Sequence, residues 1–157
     1  MGSGDNISNG TKAVLKSIGL DIHAFIEPAK HVGGDLFEVL RAADDHVVVV
    51  IGDVMGKGIP ASLFMPVTVT LLRTMARQYR QPEEILARLN NELAAQNARR
   101  MHVTMACLVI DLGTGRVTGA SAGHNPLLLV PAVGQPSFVF ASSGMFLGRF
   151  PDQVWRS

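Results

Sequence analysis

Two aspartates stand beside glycines at the ends of two predicted strands. Asp35 follows Gly33-Gly34 and enters a strand, whereas Asp53 follows Gly52 and ends one. If these strands pair antiparallel through a turn at Asp44-Asp45, the start of the first lies beside the end of the second. Two neighbouring carboxylates repel each other, and a bound divalent cation relieves that repulsion. The spacing therefore predicts a site for Mg²⁺ or Mn²⁺, which prefer oxygen ligands; the alternative is a pair of solvated loop aspartates.

The loop from Gly52 to Gly58 is rich in glycine and contains Lys57. Compared with a nucleotide-binding phosphate loop, its spacing is one residue short, and Gly58 stands where Ser or Thr would hold magnesium. We therefore do not expect a nucleotide site. Lys57 remains a candidate for attracting a phosphate group as a point charge.

Histidine and cysteine offer fewer candidates. His124 lies in a polar turn between apolar segments, where it either faces the site or satisfies the backbone of the turn. The pattern around His23, His46 and His102 indicates structural roles, and Cys107 lies in an apolar run that is typical of a buried residue. The sequence contains neither the His and Cys spacings of a zinc site nor the glycine-flanked serine of a hydrolase elbow.

The elements that must position these residues are strands, then two helices, then more strands. Apolar patterns predict strands over 20–26, 36–40, 46–51, 103–111, 116–120, 127–130 and 137–140. Helical spacing predicts one helix over 61–79, with Pro66 either absorbed or causing a kink, and a second from Pro82. This order predicts an α+β fold with antiparallel sheet. We expect residues 1–19 to be a flexible lead-in and residues 20–157 to form one domain.

Composition restricts the class of partner. The chain has 157 residues, of which 47% are hydrophobic and 17% charged, as in a globular domain. Its net charge of +1 and few aromatic residues argue against a nucleic-acid partner, and no apolar run is long enough for a membrane helix. A single cysteine suits a reducing compartment, so we expect a cytoplasmic protein.

With these residues assembled, the sequence resembles the metal-dependent protein phosphatase (PPM) family, in particular its bacterial SpoIIE-like branch, which regulates sigma factors and sporulation. The resemblance rests on short motifs in the family's order across residues 32–148. They are Val32-Gly33-Gly34-Asp35, Ile51-Gly52-Asp53-Val54-Met55-Gly56-Lys57-Gly58 with Pro60-Ala61, Leu89-Asn90-Asn91-Glu92-Leu93, Val103-Thr104, Ala122-Gly123-His124-Asn125-Pro126 and Phe146-Leu147-Gly148.

The resemblance implies two mainly antiparallel sheets sandwiched between helical layers, with two Mn²⁺ or Mg²⁺ ions at one edge. Asp53 would bridge both ions, Asp35 would bind one, and the backbone carbonyl of Val54 would bind the other. Water held between the ions would attack phosphorus directly. Family substrates are phosphoproteins, such as antagonists of anti-sigma factors. The two helices after the metal loop are, in this branch, a regulatory and sometimes dimer-forming element, so we expect a homodimer or larger assembly.

Two departures from the family pattern matter. Glu38 stands where the branch often has Asp, and the family's last metal aspartate, from a Thr-Asp-Gly motif, has no counterpart after Gly148. We therefore expect the fold to lack its C-terminal strands and the site to bind metal weakly. Three functions remain open: a protein serine/threonine phosphatase, a catalytically incomplete relative acting as a protein-binding or regulatory module, and a magnesium-dependent hydrolase of a small phosphate ester.

Overall fold

The structure, a computed structural model, describes residues 7–8, 13–15, 20–25, 34–43, 45–56, 58–97 and 100–157. The strands are β1 (Ile7–Ser8), β2 (Ala13–Leu15), β3 (Ile22–Ala24), β4 (Asp35–Ala43), β5 (His46–Val54), β6 (Val103–Asp111), β7 (Val117–Ala122), β8 (Leu127–Leu129) and β9 (Ser137–Val139). The helices are α1 (Ile59–Gln78) and α2 (Pro82–Ala95). One antiparallel sheet has the strand order β1-β4-β5-β6-β7, while β2-β3 and β8-β9 form two-stranded sheets.

Strand β5 lies at the centre of the large sheet, where its β-branched side chains pack on both faces. Val48 and Val50 belong to the core on one face, whereas Val47 packs with Val39 on the other. Helix α1 packs on β4 and β5, and α2 packs on β6 and β7, so the helices cover the first of these faces. The buried residues of α2 follow the predicted helical spacing: Pro82, Ile85, Leu86, Leu89, Asn90 and Leu93.

Helix α1 begins directly after Gly58, the last residue of the glycine-rich segment 52–58 identified in the sequence. Pro60 occupies the first turn, where a missing N–H is harmless. The helix continues through Pro66 to Gln78, so the proline does not end it. The Thr70 hydroxyl donates a hydrogen bond of 2.8 Å to the Pro66 carbonyl.

A buried ion pair joins α1 to β4. Glu38 is 1% exposed and accepts hydrogen bonds from Nε (3.0 Å) and Nη2 (3.1 Å) of Arg73. Burial raises the pKa of the Glu38 carboxyl, and the hydrogen bond and charge of Arg73 oppose that rise. The pair therefore fixes the C-terminal half of α1 against the strand that begins at Asp35.

The β4–β5 hairpin contains one irregularity. Its register runs from Asp35 opposite Asp53 to Arg41 opposite Val47, after which Ala43 pairs with His46. Ala42 is thus the extra residue of a β-bulge. Since Asp35 lies one residue further from the turn than Asp53, the bulge absorbs the difference and makes the two aspartates direct partners.

The face of the large sheet opposite the helices carries a cleft of about 570 Å³. Phe37, Val49 and Ile51 of β4 and β5 line it, together with Phe25 after β3. Ile51 is 46% exposed and Phe25 is 65% exposed, so within the described residues this face is apolar and open.

The predicted α+β class with antiparallel sheet is confirmed, and the elements from residue 35 onward lie close to their predicted bounds. The predicted first strand, 20–26, is shorter at Ile22–Ala24 and pairs with β2. Strands β1 and β2 fall within residues 1–19, and the domain boundary at residue 20 stays a prediction. In the part of the chain that the structure describes, no helix combines the length and apolarity needed to cross a membrane.

Candidate metal centre

A row of polar side chains crosses the large sheet at one edge. Asp35 and Asp53 face each other across β4 and β5, as the hairpin count predicts. Asp53 is in turn opposite Thr104 of β6, whose hydroxyl lies in hydrogen-bond contact with Nδ1 of His124 at 2.9 Å. Cross-strand partners project from the same face of a sheet, so this metal row (Asp35, Asp53, Thr104, His124) borders the open cleft.

The charges in the metal row are coupled. Burial raises the pKa of the Asp53 carboxyl, the negative charge of Asp35 raises it further, and His124 opposes the rise. Burial also lowers the pKa of the His124 imidazole, against the opposing charges of Asp53 and Asp35. Two carboxylates in this position favour a cation that neutralises both.

Gly34 creates the space that a metal ligand set needs. A Cβ atom at this position would lie 2.4 Å from the carbonyl oxygen of Val54 and 2.6 Å from Oδ1 of Asp53. These two oxygens therefore converge on one point, and any side chain at residue 34 would displace them. The Val54 N–H, for its part, donates to the Gly34 carbonyl at 2.8 Å.

The donor set fits a hard divalent cation, because carboxylate and carbonyl oxygens are the ligands that Mg²⁺ and Mn²⁺ prefer. Within the described ranges, no group of three or more His, Cys, Asp or Glu side chains is positioned to hold a metal ion. The described part of the site thus supplies two carboxylates and one carbonyl. Lys57, the other predicted site-lining residue, lies outside the described residues.

A buried asparagine holds the loop beside the metal row, a role that the sequence analysis missed. The Asn90 side chain accepts a hydrogen bond from the Gly148 N–H (2.9 Å) and donates one to the Phe150 carbonyl (2.9 Å). Leu147 in the same loop bridges to Val103 at the start of β6. The motif around Asn90 was visible in sequence, but its partner lies more than fifty residues away.

Cys107 is a structural residue, as predicted. It is fully buried on β6, and burial raises the pKa of its thiol to about 12. A thiol held neutral in the core is a poor nucleophile.

Comparison with known proteins decides the family. The Stage II sporulation protein E (SpoIIE) family matches residues 43–157, which is most of the chain. The chain belongs to the SpoIIE family. The match confirms the resemblance drawn from the short motifs, and it includes Asp53, Thr104 and His124 of the metal row.

Individual proteins that are similar to this SpoIIE-family chain support the family assignment. Phosphoserine phosphatase RsbU of Bacillus subtilis is 30% identical over 147 residues, which are 94% of this chain and 43% of RsbU. The crystal structure of the RsbU and RsbW domains of Rv1364c from Mycobacterium tuberculosis matches with a TM-score of 0.67 at 28% identity, covering 83% of this chain and 37% of that one.

RsbX, crystallised in complex with magnesium, shares the fold with a TM-score of 0.60 at 22% identity, over 82% of this chain and 60% of RsbX. The chain spans less than half the length of the curated relatives it matches.

Proposed function

We propose that this chain forms part of a metal-dependent protein serine/threonine phosphatase domain. It hydrolyses phosphoserine or phosphothreonine in a bacterial signalling protein of the sigma-factor regulation type. The observation that carries the proposal is the direct pairing of Asp35 with Asp53, beside a Val54 carbonyl that Gly34 leaves accessible. Similarity to a phosphoserine phosphatase supports the reaction class.

In this proposal Asp53 would hold two Mn²⁺ or Mg²⁺ ions, Asp35 would hold one of them, and the Val54 carbonyl would hold the other. The chemistry that ions bound there would supply is activation of water for attack on phosphorus and neutralisation of negative charge on the phosphoryl oxygens. The raised pKa of Asp53 supports this assignment, because burial beside Asp35 leaves negative charge for a cation to balance.

The remaining residues of the metal row orient the substrate. The Thr104 hydroxyl holds the His124 ring through Nδ1, so that the imidazole lines the phosphate position in one orientation. Lys57 attracts the phosphate as a point charge. The substrate is a phosphoprotein, such as an antagonist of an anti-sigma factor, and the compartment is the cytoplasm.

Manganese-dependent release of phosphate from a phosphoprotein tests the proposal, using this chain and a longer natural one. We expect Asp53→Asn to abolish the manganese-dependent rate. Asp152→Asn is the matched control, because Asp152 is exposed outside the metal row and has a positive φ of 57°, a conformation that Asn tolerates. Activity without metal, or activity that survives Asp53→Asn, would rule out the mechanism.

The second candidate function is a protein-binding or regulatory module with an incomplete site. It is favoured by the observation that no third carboxylate joins Asp35 and Asp53 within the described residues. Isothermal titration of a candidate antagonist protein into the metal-free chain tests this function. Binding without metal and without phosphate release supports the module, whereas absence of binding argues against it.

A further inference from the structure

A second group of side chains extends the metal row outward along the strands. The Met55 N–H, two residues beyond Asp53, donates a hydrogen bond of 2.8 Å to the His102 carbonyl. Because Asp53 is opposite Thr104, the alternation of side chains along each strand puts His102 on the face of the metal row. The His102 ring stacks on Phe146, with centroids 4.0 Å apart and planes inclined by 27°.

This stacked pair is not a buried structural element, although the sequence pattern indicates a structural role for His102. Both rings are only partly buried, and the neighbouring Met55 and Met145 side chains are 57% and 43% exposed. The pair therefore offers an accessible flat surface beside the metal row. Flat rings of this kind accommodate the aliphatic stem of an incoming side chain.

Arg149 adds a positive charge next to the rings. Burial lowers the pKa of the His102 imidazole, and the positive charge of Arg149 lowers it further. This effect of Arg149 indicates that the two groups are close together. Its guanidinium lies 5.6 Å from the Phe150 ring. Among the residues that the structure describes, no carboxylate lies within ion-pair distance of Arg149.

The loop that carries Phe146 and Arg149 is held in place before any substrate arrives. Asn90 binds the backbone on both sides of Arg149, at Gly148 and Phe150. Such preorganisation lowers the entropic cost of binding. An exposed guanidinium on a fixed loop, with no carboxylate partner among the described residues, is suited to bind a carboxylate through two parallel hydrogen bonds.

We propose that His102, Phe146 and Arg149 form a flank subsite, which binds an acidic side chain two or three residues from the phosphorylated residue of the substrate protein. This inference rests on the proposed phosphatase function. Two residues along a strand span about 7 Å, and an extended substrate chain advances by about the same distance over two residues. When the phosphate lies at the metal row, a glutamate two or three residues away in the same substrate chain therefore lies over the ring pair, with its carboxylate at Arg149.

The binding test uses fluorescently labelled phosphopeptides with a non-hydrolysable phosphonate, so that no turnover is needed. One peptide series carries Glu at the second and third positions on either side of the phosphonate, and matched series carry Gln or Lys there. By fluorescence anisotropy, we expect the wild-type chain to prefer Glu over Gln. We expect Arg149→Gln to weaken binding of the Glu peptide about three- to fivefold, as for a partly exposed ion pair.

Reversing the charge of Arg149 gives the clearest test of the peptide preference. We expect Arg149→Glu to invert the preference, so that the Lys peptide binds better than the Glu peptide. Arg116→Glu is the matched control, because Arg116 is also exposed but lies in the turn between β6 and β7, at the other end of these strands. We expect this variant to keep the wild-type preference. Equal binding of Glu and Gln peptides by the wild type, or an unchanged preference in Arg149→Glu, overturns the flank subsite.

Hydrolysis of p-nitrophenyl phosphate separates the failure of this inference from the failure of the proposed function. That substrate has no flanking residues. If the wild-type chain does not hydrolyse it with manganese but still prefers Glu peptides, the phosphatase function fails and the subsite stands. If Arg149→Glu reduces its hydrolysis as strongly as that of a Glu phosphopeptide, Arg149 acts on the phosphate itself and the flank subsite is wrong.

Discussion

Replacing Gly34 with alanine tests whether the convergence of oxygens beside this glycine is what binds metal. The new Cβ would lie 2.4 Å from the Val54 carbonyl oxygen and 2.6 Å from Oδ1 of Asp53, whereas real Cβ contacts essentially never fall below 3.0 Å. At least one oxygen must therefore move by roughly half an ångström or more. Neither oxygen belongs to a long flexible side chain that could swing away without cost.

The magnitude follows from the size of that displacement. Overpacking at a well-packed position costs about 1–3 kcal/mol of stability, so the variant should still fold. Displacing catalytic groups by about 1 Å can lower a rate by about a hundredfold. For a displacement of roughly half an ångström to 1 Å, we therefore expect Gly34→Ala to lose about ten- to a hundredfold in manganese-dependent phosphate release and to require more manganese for half-maximal rate.

The assay is a manganese titration of p-nitrophenyl phosphate hydrolysis, with circular dichroism melting as the check on folding. Gly113→Ala is the matched control, since its Cβ would meet only Oδ1 of Asp111, at 3.4 Å. A Gly34→Ala variant with wild-type rate and wild-type manganese requirement would refute the assignment of Val54 and Asp53 as ligands.

Three further predictions concern charge, packing and assembly. Burial raises the pKa of Asp53 above its ordinary value of 3.8, so its ionised form destabilises the metal-free fold as the pH rises through the folded pKa. Asp53→Asn should thus raise the melting temperature at pH 7 in EDTA, and the difference should shrink as the pH approaches 3.8. Arg73→Met leaves the Glu38 charge buried, so it should lower the free energy of unfolding by about 3 kcal/mol, as measured by urea unfolding. Adding Glu38→Met should recover most of that loss. If the losses of the two single variants simply add in the double variant, the pairing of Glu38 with Arg73 is contradicted. Leu63 and Val67 are 64% and 42% exposed on α1, so we expect a dimer or larger assembly by light scattering, and a monomer at high concentration would argue against it.

Local sequence patterns were enough to predict most of the fold and the proximity of the two aspartates. Asp35 and Asp53 belong to one hairpin, so counting residues outward from a single turn was enough to bring them together. The apolar spacing of α2 identified its buried face for a similar reason. Both depend only on neighbours along the chain, which a sequence displays directly.

The rest of the site depends on pairing between distant segments. His124 reaches Thr104 only because β6 and β7 pair, and a polar turn alone leaves its direction open. Asn90 contacts Gly148 across the domain, and nothing in the spacing of its helix reveals that partner. His102 shows no periodic signal, so its contact with Phe146 became visible only in three dimensions.

The bulge at Ala42 has a consequence for how the length of this hairpin can vary. Side chains alternate between the two faces of a sheet, so a register slip of one residue reverses the face of every residue on the slipped strand. A regular ladder that retained Ala42 would put Asp35 opposite Val54, with Asp35 and Asp53 on opposite faces, whereas deleting Ala42 removes the extra residue and leaves Asp35 opposite Asp53. A deletion at the bulge is therefore tolerable, but a single-residue insertion or deletion in the paired part of either strand needs a compensating change. Homologous chains should therefore differ in the number of residues between the two aspartates at the bulge or the turn, and not in the paired parts of the strands.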